Sequence, residues 1–332
     1  MWQCNVFWVK LKTNLAFRQI GTLFKIDTGE ENIRKRVADT FRSVASALHQ
    51  LLTPNHLGIT HLTREAALVH HTAYTRTFFG DQLSLIWDGT YFYMYKSNDH
   101  NLQRGTFSGQ KCRHLVKFMV LALPDGYVVE TLGPFYGKDN DATIARYILD
   151  TLDGLQPLCE DDDIQIVDRA FRDVAGFFIQ LGYDVKMPGL LEKGATQLTT
   201  EDANAARLVT KCRWPIEAIH GRLKKWRFFS ERIDNSFLSL LNILVRVTAA
   251  CLNKYRTMLY DATSNEHIQL AKKMLELQDH RSQLKQQLNS SELSFRRKWL
   301  KMTDTDIKFP QLSLDFLRQY TCGSYQLKQR LR

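Results

Sequence analysis

The sequence predicts an α/β fold in which a mixed sheet is flanked by helices, with a helical segment before it and a helical stretch after it. Three observations carry this expectation. Apolar and aromatic runs of strand length cluster between residues 83 and 188. They come as three strands, a helix, a strand, a helix or loop, and a further strand, the order of a mixed sheet covered by helices. Helical periodicity dominates on either side. With 332 residues, 44% of them apolar, the chain is long enough for one large domain or two ordinary ones.

In chain order, residues 15–24 read as a short helix and 28–52 as a longer one. Thr28 followed by Glu31 offers a capping box, and Ile33, Val37, Phe41, Val44, Leu48 and Leu51 recur at helical spacing. The polar turn Asp27-Thr28-Gly29, with Arg34, Lys35, Arg36 and Arg42 beyond it, resembles a helix-turn-helix able to lay a basic face on DNA. An ordinary helical hairpin with a solvated face fits the same residues. Residues 1–80 are therefore expected to form a helical, helix-turn-helix-like segment.

LSLIWDGTYFYMY, from residue 83, reads as a strand. VKFMVLAL (116–123) ends at the turn Pro124-Asp125-Gly126, and YVVETL follows it to complete a hairpin. DATIARYILDTL (141–152) is helical in pattern, IQIVD (164–168) and YDVKMP (183–188) are short strands, and a helix is expected from about 201 to 229. FLSLLNILVRVTAACL (237–252) is the most apolar run, but it contains Asn242 and Arg246 and falls short of the roughly 20 residues that span a bilayer. It reads as a buried helix. This places a central domain at 81–255 and a helical C-terminal extension at 256–332. In the extension Leu270, Leu277 and Leu284 lie seven apart, but Arg281 occupies a seam position, which favours a helix packed on its own domain over a coiled coil.

The formal net charge of +10 points to a polyanionic partner such as nucleic acid. The six cysteines, Cys4, Cys112, Cys159, Cys212, Cys251 and Cys322, lack paired CxxC spacing and read as reduced thiols. The N-terminal stretch, interrupted by Asn5, Lys10 and Lys12, has no apolar run of signal-peptide length, so secretion is not expected.

Chemistry is carried by three acids. Asp88 closes LSLIWD and is followed by Gly89-Thr90; Asp168 closes IQIVD; Glu217 lies beside the stripe Ile216, Ile219, Leu223 and Trp226, with Arg213, His220 and Lys224 on its own face. Strand ends are where open α/β sheets hold ligands, and Mg²⁺ prefers carboxylate oxygens. A lone carboxylate is ordinarily a cap or a surface ion pair; the constellation is what suggests a metal. Glu160, Asp161, Asp162 and Asp163 lack interleaved ligands and read as a solvated loop, and Asp141 reads as a helix cap. Tyr91, Phe92, Tyr93 and Tyr95 suit strand packing better than base stacking.

These blocks together resemble the DDE superfamily endonucleases of Harbinger-type transposons and transposase-derived nucleases. The resemblance rests on WDGT (87–90), LQRGTFSGQK (102–111), VKFMVLALPDG (116–126), Tyr136-Gly137 to Asn140-Asp141, VDRAF (167–171) and WPIEAIHGRLKKW (214–226). It departs from the family at Phe107, where an aromatic hydroxyl is frequent, and at Trp214-Pro215, where proline is expected to kink the helix just before Glu217. The resemblance implies an RNase H-like domain with Asp88, Asp168 and Glu217 as catalytic metal ligands. It implies two Mg²⁺ or Mn²⁺ ions about 3.5 to 4 Å apart, cleavage of DNA phosphodiesters and strand transfer by the freed 3′-hydroxyl. Asp141 acquires a second, positioning role by the same resemblance. A homo-oligomer, a separate DNA-binding helper protein and nuclear residence are expected on the same ground.

Lys111, Arg113, Lys117, Arg213, Arg222, Lys224, Lys225 and Arg227, with Arg34, Lys35 and Arg36 upstream, are the candidates for sequence-independent phosphate contacts. The rival reading is a domesticated, inactive DNA-binding or adaptor protein that keeps the fold. Exonucleases of the same broad fold want Asp-x-Glu and aspartyl-phosphate enzymes Asp-x-Asp, whereas Thr90 follows Asp88 here.

Overall fold

The residues from Ser84 to Tyr93 form β1, the strand around which the sheet is assembled. Its side chains alternate between two faces, as the period of a strand requires. Leu85 and Trp87 enter one core, while Ile86 and Phe92 enter cores on the other side. In the computed structural model, which describes residues 2–26, 30–152, 155–191, 197–260 and 264–278, β3 (Arg113–Ala122) runs antiparallel to β1 with Val120 opposite Asp88. β4 (Val128–Tyr136) runs antiparallel to β3, and the short β2 (Phe107–Ser108) pairs with the start of β3. On the other side of β1, β5 (Ile164–Ile166) and then β6 (Asp184–Lys186) lie parallel.

The parallel strands are reached through crossover helices, α7 (Asp141–Thr151) before β5 and α8 (Arg172–Gln180) before β6. This is the RNase H-like mixed sheet that the resemblance implies, and the undecided segment before the last strand is a helix. Trp87 locks these helices to the sheet: it meets Phe178 edge to face at 5.3 Å, and its indole N–H donates to Gln165 at 2.8 Å. The opposite face is covered by α9 (Thr200–Lys224), whose Ile216, Ile219 and Leu223 pack with Ile86, Val120 and Ile166. α9 runs through Pro215 as one element and is followed by α10 (Arg227–Ser230).

Residues before the sheet form α1 (Trp2–Thr13), α2 (Phe17–Leu23), α3 (Glu30–His56), α4 (Arg64–Leu68) and α5 (Ala73–Phe79), and α6 (His100–Thr106) precedes β2. Phe7, Leu11, Val37 and Phe41 share a core with Phe92, Phe118, Phe228 and Phe229, and residues 1–281 form one compact unit. The turn at 27–29 and the side chain of Glu31 lie outside the described residues.

The apolar run forms α11 (Leu238–Tyr255). By length and composition it could cross a bilayer. Leu241, Leu244 and Val245 are buried, and Arg246 pairs with Glu130 of β4, as the buried-helix reading expects. In α12 (Asn265–Glu276), Leu270 and Met274 pack on the core shared with α9, whereas Arg281, Leu284, Leu288 and Cys322 lie outside the described residues. The cysteines that are described are all free thiols.

Two sequence readings need correction. Asp163 is fully buried rather than solvated: it takes both ends of the Arg64 guanidinium and accepts from the backbone N–H groups of Leu83 and Glu160. The cap of α7 is Asn140, which accepts from Thr143 N at 2.7 Å, while Asp141 is the first residue of the helix.

Candidate active site

Strand register brings two of the sequence-predicted acids together. Ile86 of β1 is the parallel partner of Ile166 of β5. Asp88, midway along β1, and Asp168, just past the end of β5, each lie two residues further on, so both project from one face of neighbouring strands about 4.8 Å apart. Asp88 does not close its strand as the sequence suggests, because pairing with β3 carries β1 on to Tyr93. Each has one carboxylate oxygen tied to backbone. Asp88 Oδ1 accepts from Gly89 N at 3.0 Å, and Asp168 Oδ1 accepts from Ala170 N at 2.7 Å, capping a short 3-10 turn. The other oxygens face one cation: Arg213 Nη2 of α9 stands 3.5 Å from Asp88 Oδ2 and 4.0 Å from Asp168 Oδ2. These separations are too long for hydrogen bonds, so the attraction is coulombic.

A further acid, Asp141, stands beside this pair. The Asp141 carboxylate lies against β1 so closely that a Cβ on Gly89 would sit 3.0 Å from Asp141 Oδ1. Lys117 Nζ holds that oxygen at 2.9 Å. Burial above all, with Asp168 and Asp141 adding to it, raises the Asp88 pKa to about 7 against the pull of Arg213 and the Gly89 N–H. Burial, then Lys224 and Arg213, push His220 down to about 3. Its imidazole, 3.7 Å from Asp88 Oδ2, is therefore neutral and is no ion-pair partner.

Glu217 is exposed on α9. At 100° per residue it falls within roughly 60° of Arg213, His220 and Lys224, so it shares the helical face that meets the acids. Among the described residues, however, no three His, Cys, Asp or Glu side chains form a ready metal cage.

The donor set nonetheless fits a hard divalent cation. Two carboxylate oxygens converge where the fold already holds a positive group, and a carboxyl at a pKa near 7 gains from such a cation more than a solvated one does.

Basic and aromatic groups continue along β1. Tyr91 and Tyr93 meet edge to face at 5.3 Å, Lys224 and Lys111 stand 4.2 and 5.3 Å from the Tyr91 ring centre, and Arg113 stands 5.3 Å from that of Tyr93. Of this aromatic run Phe92 is core, whereas Tyr91 and Tyr93 are half-buried supports for cations. The other candidate phosphate contacts divide. Lys117 is committed to Asp141 and Arg227 to Glu231. Arg34, Lys35 and Arg36 lie on the exposed side of α3, and Arg222 and Lys225 lie on the side of α9 away from the acids.

A family model described as DDE superfamily endonuclease matches residues 87–253, half of the chain. The match begins one residue before Asp88 and takes in Asp141, Asp168, Arg213 and Glu217. Among curated proteins, none matches the chain.

Proposed function

Because the chain belongs to the DDE superfamily endonucleases, we propose that it is a nuclease or transposase that cuts DNA phosphodiesters at the acid pair Asp88 and Asp168, with Glu217 completing the set from α9. The observation that carries this reading is the parallel register that sets both aspartates two residues beyond the Ile86 and Ile166 pair. Asp88, Asp168 and Glu217 would hold divalent cations, Mg²⁺ or Mn²⁺, which when bound polarise the phosphoryl oxygens and lower the pKa of the attacking water.

The remaining work falls to other side chains. Lys117 holds Asp141 against the site. Lys111, Arg113 and Lys224, seated on the two tyrosines, carry positive charge to the mouth of the site, where the phosphates on either side of the scissile bond would lie. Arg213 screens the two aspartates from one another and would turn to a non-bridging oxygen of bound DNA. The freed 3′-hydroxyl would then be the nucleophile for joining to target DNA, with no covalent intermediate on the protein. Work in the nucleus, as a homo-oligomer and with a DNA-binding helper, belongs to the same reading.

The test is cleavage of duplex DNA by the full chain with Mn²⁺. Removing a group that merely supports a metal ligand costs 10–100-fold, so Asp168→Asn should lower the cutting rate by about two orders of magnitude or more. A wild-type chain that binds DNA but never cuts it would refute the nuclease reading.

A further inference from the structure

A cleft of about 750 Å³ opens where the C-terminal ends of α1, α9 and α11 converge. It is separate from the acid pair: Arg222 and Lys225, which line it, stand roughly 120–180° around α9 from Arg213. Its lining has an aromatic part. Trp226 leans on Trp8 with ring centres 5.6 Å apart, and Tyr255 presents 70% of its surface to solvent. It also has a charged part, formed by Lys12, Arg222, Lys225 and Arg256, and no acid is among the lining residues.

Cations near helix C-termini complement the backbone dipole, which is the ordinary account of such a cluster. Three helix ends at about half a negative charge each offset less than half of the positive charge gathered here. The crowding is felt within the cluster: burial, and then Arg256, hold Arg222 below its usual range. Arg222 is nonetheless fixed in place, since it donates to Thr257 O at 3.0 Å. A ligand that satisfies both parts of the lining carries an anion and a flat aromatic ring together. In duplex DNA the faces of the bases are hidden by stacking, so only an unpaired nucleotide offers both.

We infer that this cleft binds an unpaired nucleotide of single-stranded DNA, its base against Trp226 and Tyr255 and its phosphates against the four cations. The volume suits this, since sites for small ligands span about 300–1,000 Å³. The inference rests on the reading of the chain as a DNA-acting enzyme and adds a base-holding subsite apart from the cutting centre. Such a subsite would grip a strand end or a flipped base while the duplex lies along β1.

The test is fluorescence anisotropy of the full chain with a short labelled oligo(dT) and with an abasic strand of equal length and charge at the same salt. Stacking of one base predicts about tenfold tighter binding of oligo(dT). Tyr255→Ala should remove most of that preference, and Arg256→Glu should weaken both strands. Equal affinity for the two strands, or a preference untouched by Tyr255→Ala, overturns the inference. A chain that prefers oligo(dT) yet never cuts duplex with Mn²⁺ keeps this site and loses the nuclease reading; a chain that cuts but treats both strands alike does the reverse.

Discussion

Between about pH 4 and 7 the folded chain holds a proton at Asp88 that the unfolded chain gives up, because the carboxyl pKa is about 7 rather than its ordinary 3.8. Below pH 4 the group is neutral in both states and costs nothing. As pH rises towards 7 its ionisation increasingly opposes folding, and above the folded value the penalty is complete. At about 1.4 kcal/mol per pKa unit its ceiling is about 4 kcal/mol. Asp88→Asn cannot ionise, so in EDTA it should melt above wild type at about pH 8, and the gap should close near pH 4. Mn²⁺ should raise the wild-type Tm at the higher pH and do much less for the variant, because a cation that binds only the folded chain stabilises it. A gap that ignores pH would mean that burial does not disfavour this carboxylate. The Asp-Gly-Thr motif was legible in the sequence as an acid on an apolar strand, but neither its place midway along β1 nor its perturbation was, since the pairing with β3 and two of the groups responsible, Asp141 and Asp168, lie far along the chain.

The elements explain why glycine recurs around the site. A Cβ on Gly137 would meet the backbone oxygens of Thr106 and Leu115 at 2.3 and 2.5 Å, so the link from β4 to α7 can run there only without a side chain. Gly137→Ala must displace the segment that carries Asn140 and Asp141. It should cost about 1–3 kcal/mol in a denaturant titration and lower Mn²⁺-dependent cutting with it. Unchanged stability and cutting would show that the link can give. Gly89→Ala is milder, since its Cβ would press only on the Asp141 carboxylate. It should cost activity more than stability. Element reading succeeded where one face is polar, as in α9, whose Ile216, Ile219 and Leu223 alternate with charged residues. It missed α1, where Trp2, Val6, Phe7, Trp8, Val9 and Leu11 leave little polar face for periodicity to register.

Across the whole molecule, the helices of residues 1–80 are built into the core of the sheet region. Phe7, Leu11, Val37 and Phe41 enclose Phe92, Phe118, Phe228 and Phe229 on one side of the sheet. A chain lacking residues 1–80 would expose those rings to water, so it should lose its near-ultraviolet circular dichroism and fail to melt cooperatively. A well-folded truncated chain would instead assign that core to the nuclease region alone. The sequence by itself determined the strand and helix order and the family, because those follow from local periodicity and from motifs continuous in the chain. Only the tertiary structure decided which groups meet: Asp141 joining Asp88, Lys117 held by Asp141, Asp163 buried on Arg64, and three helix ends enclosing an aromatic, basic cleft. Such meetings depend on strand register and helix packing between residues scores of positions apart, and no local pattern encodes them.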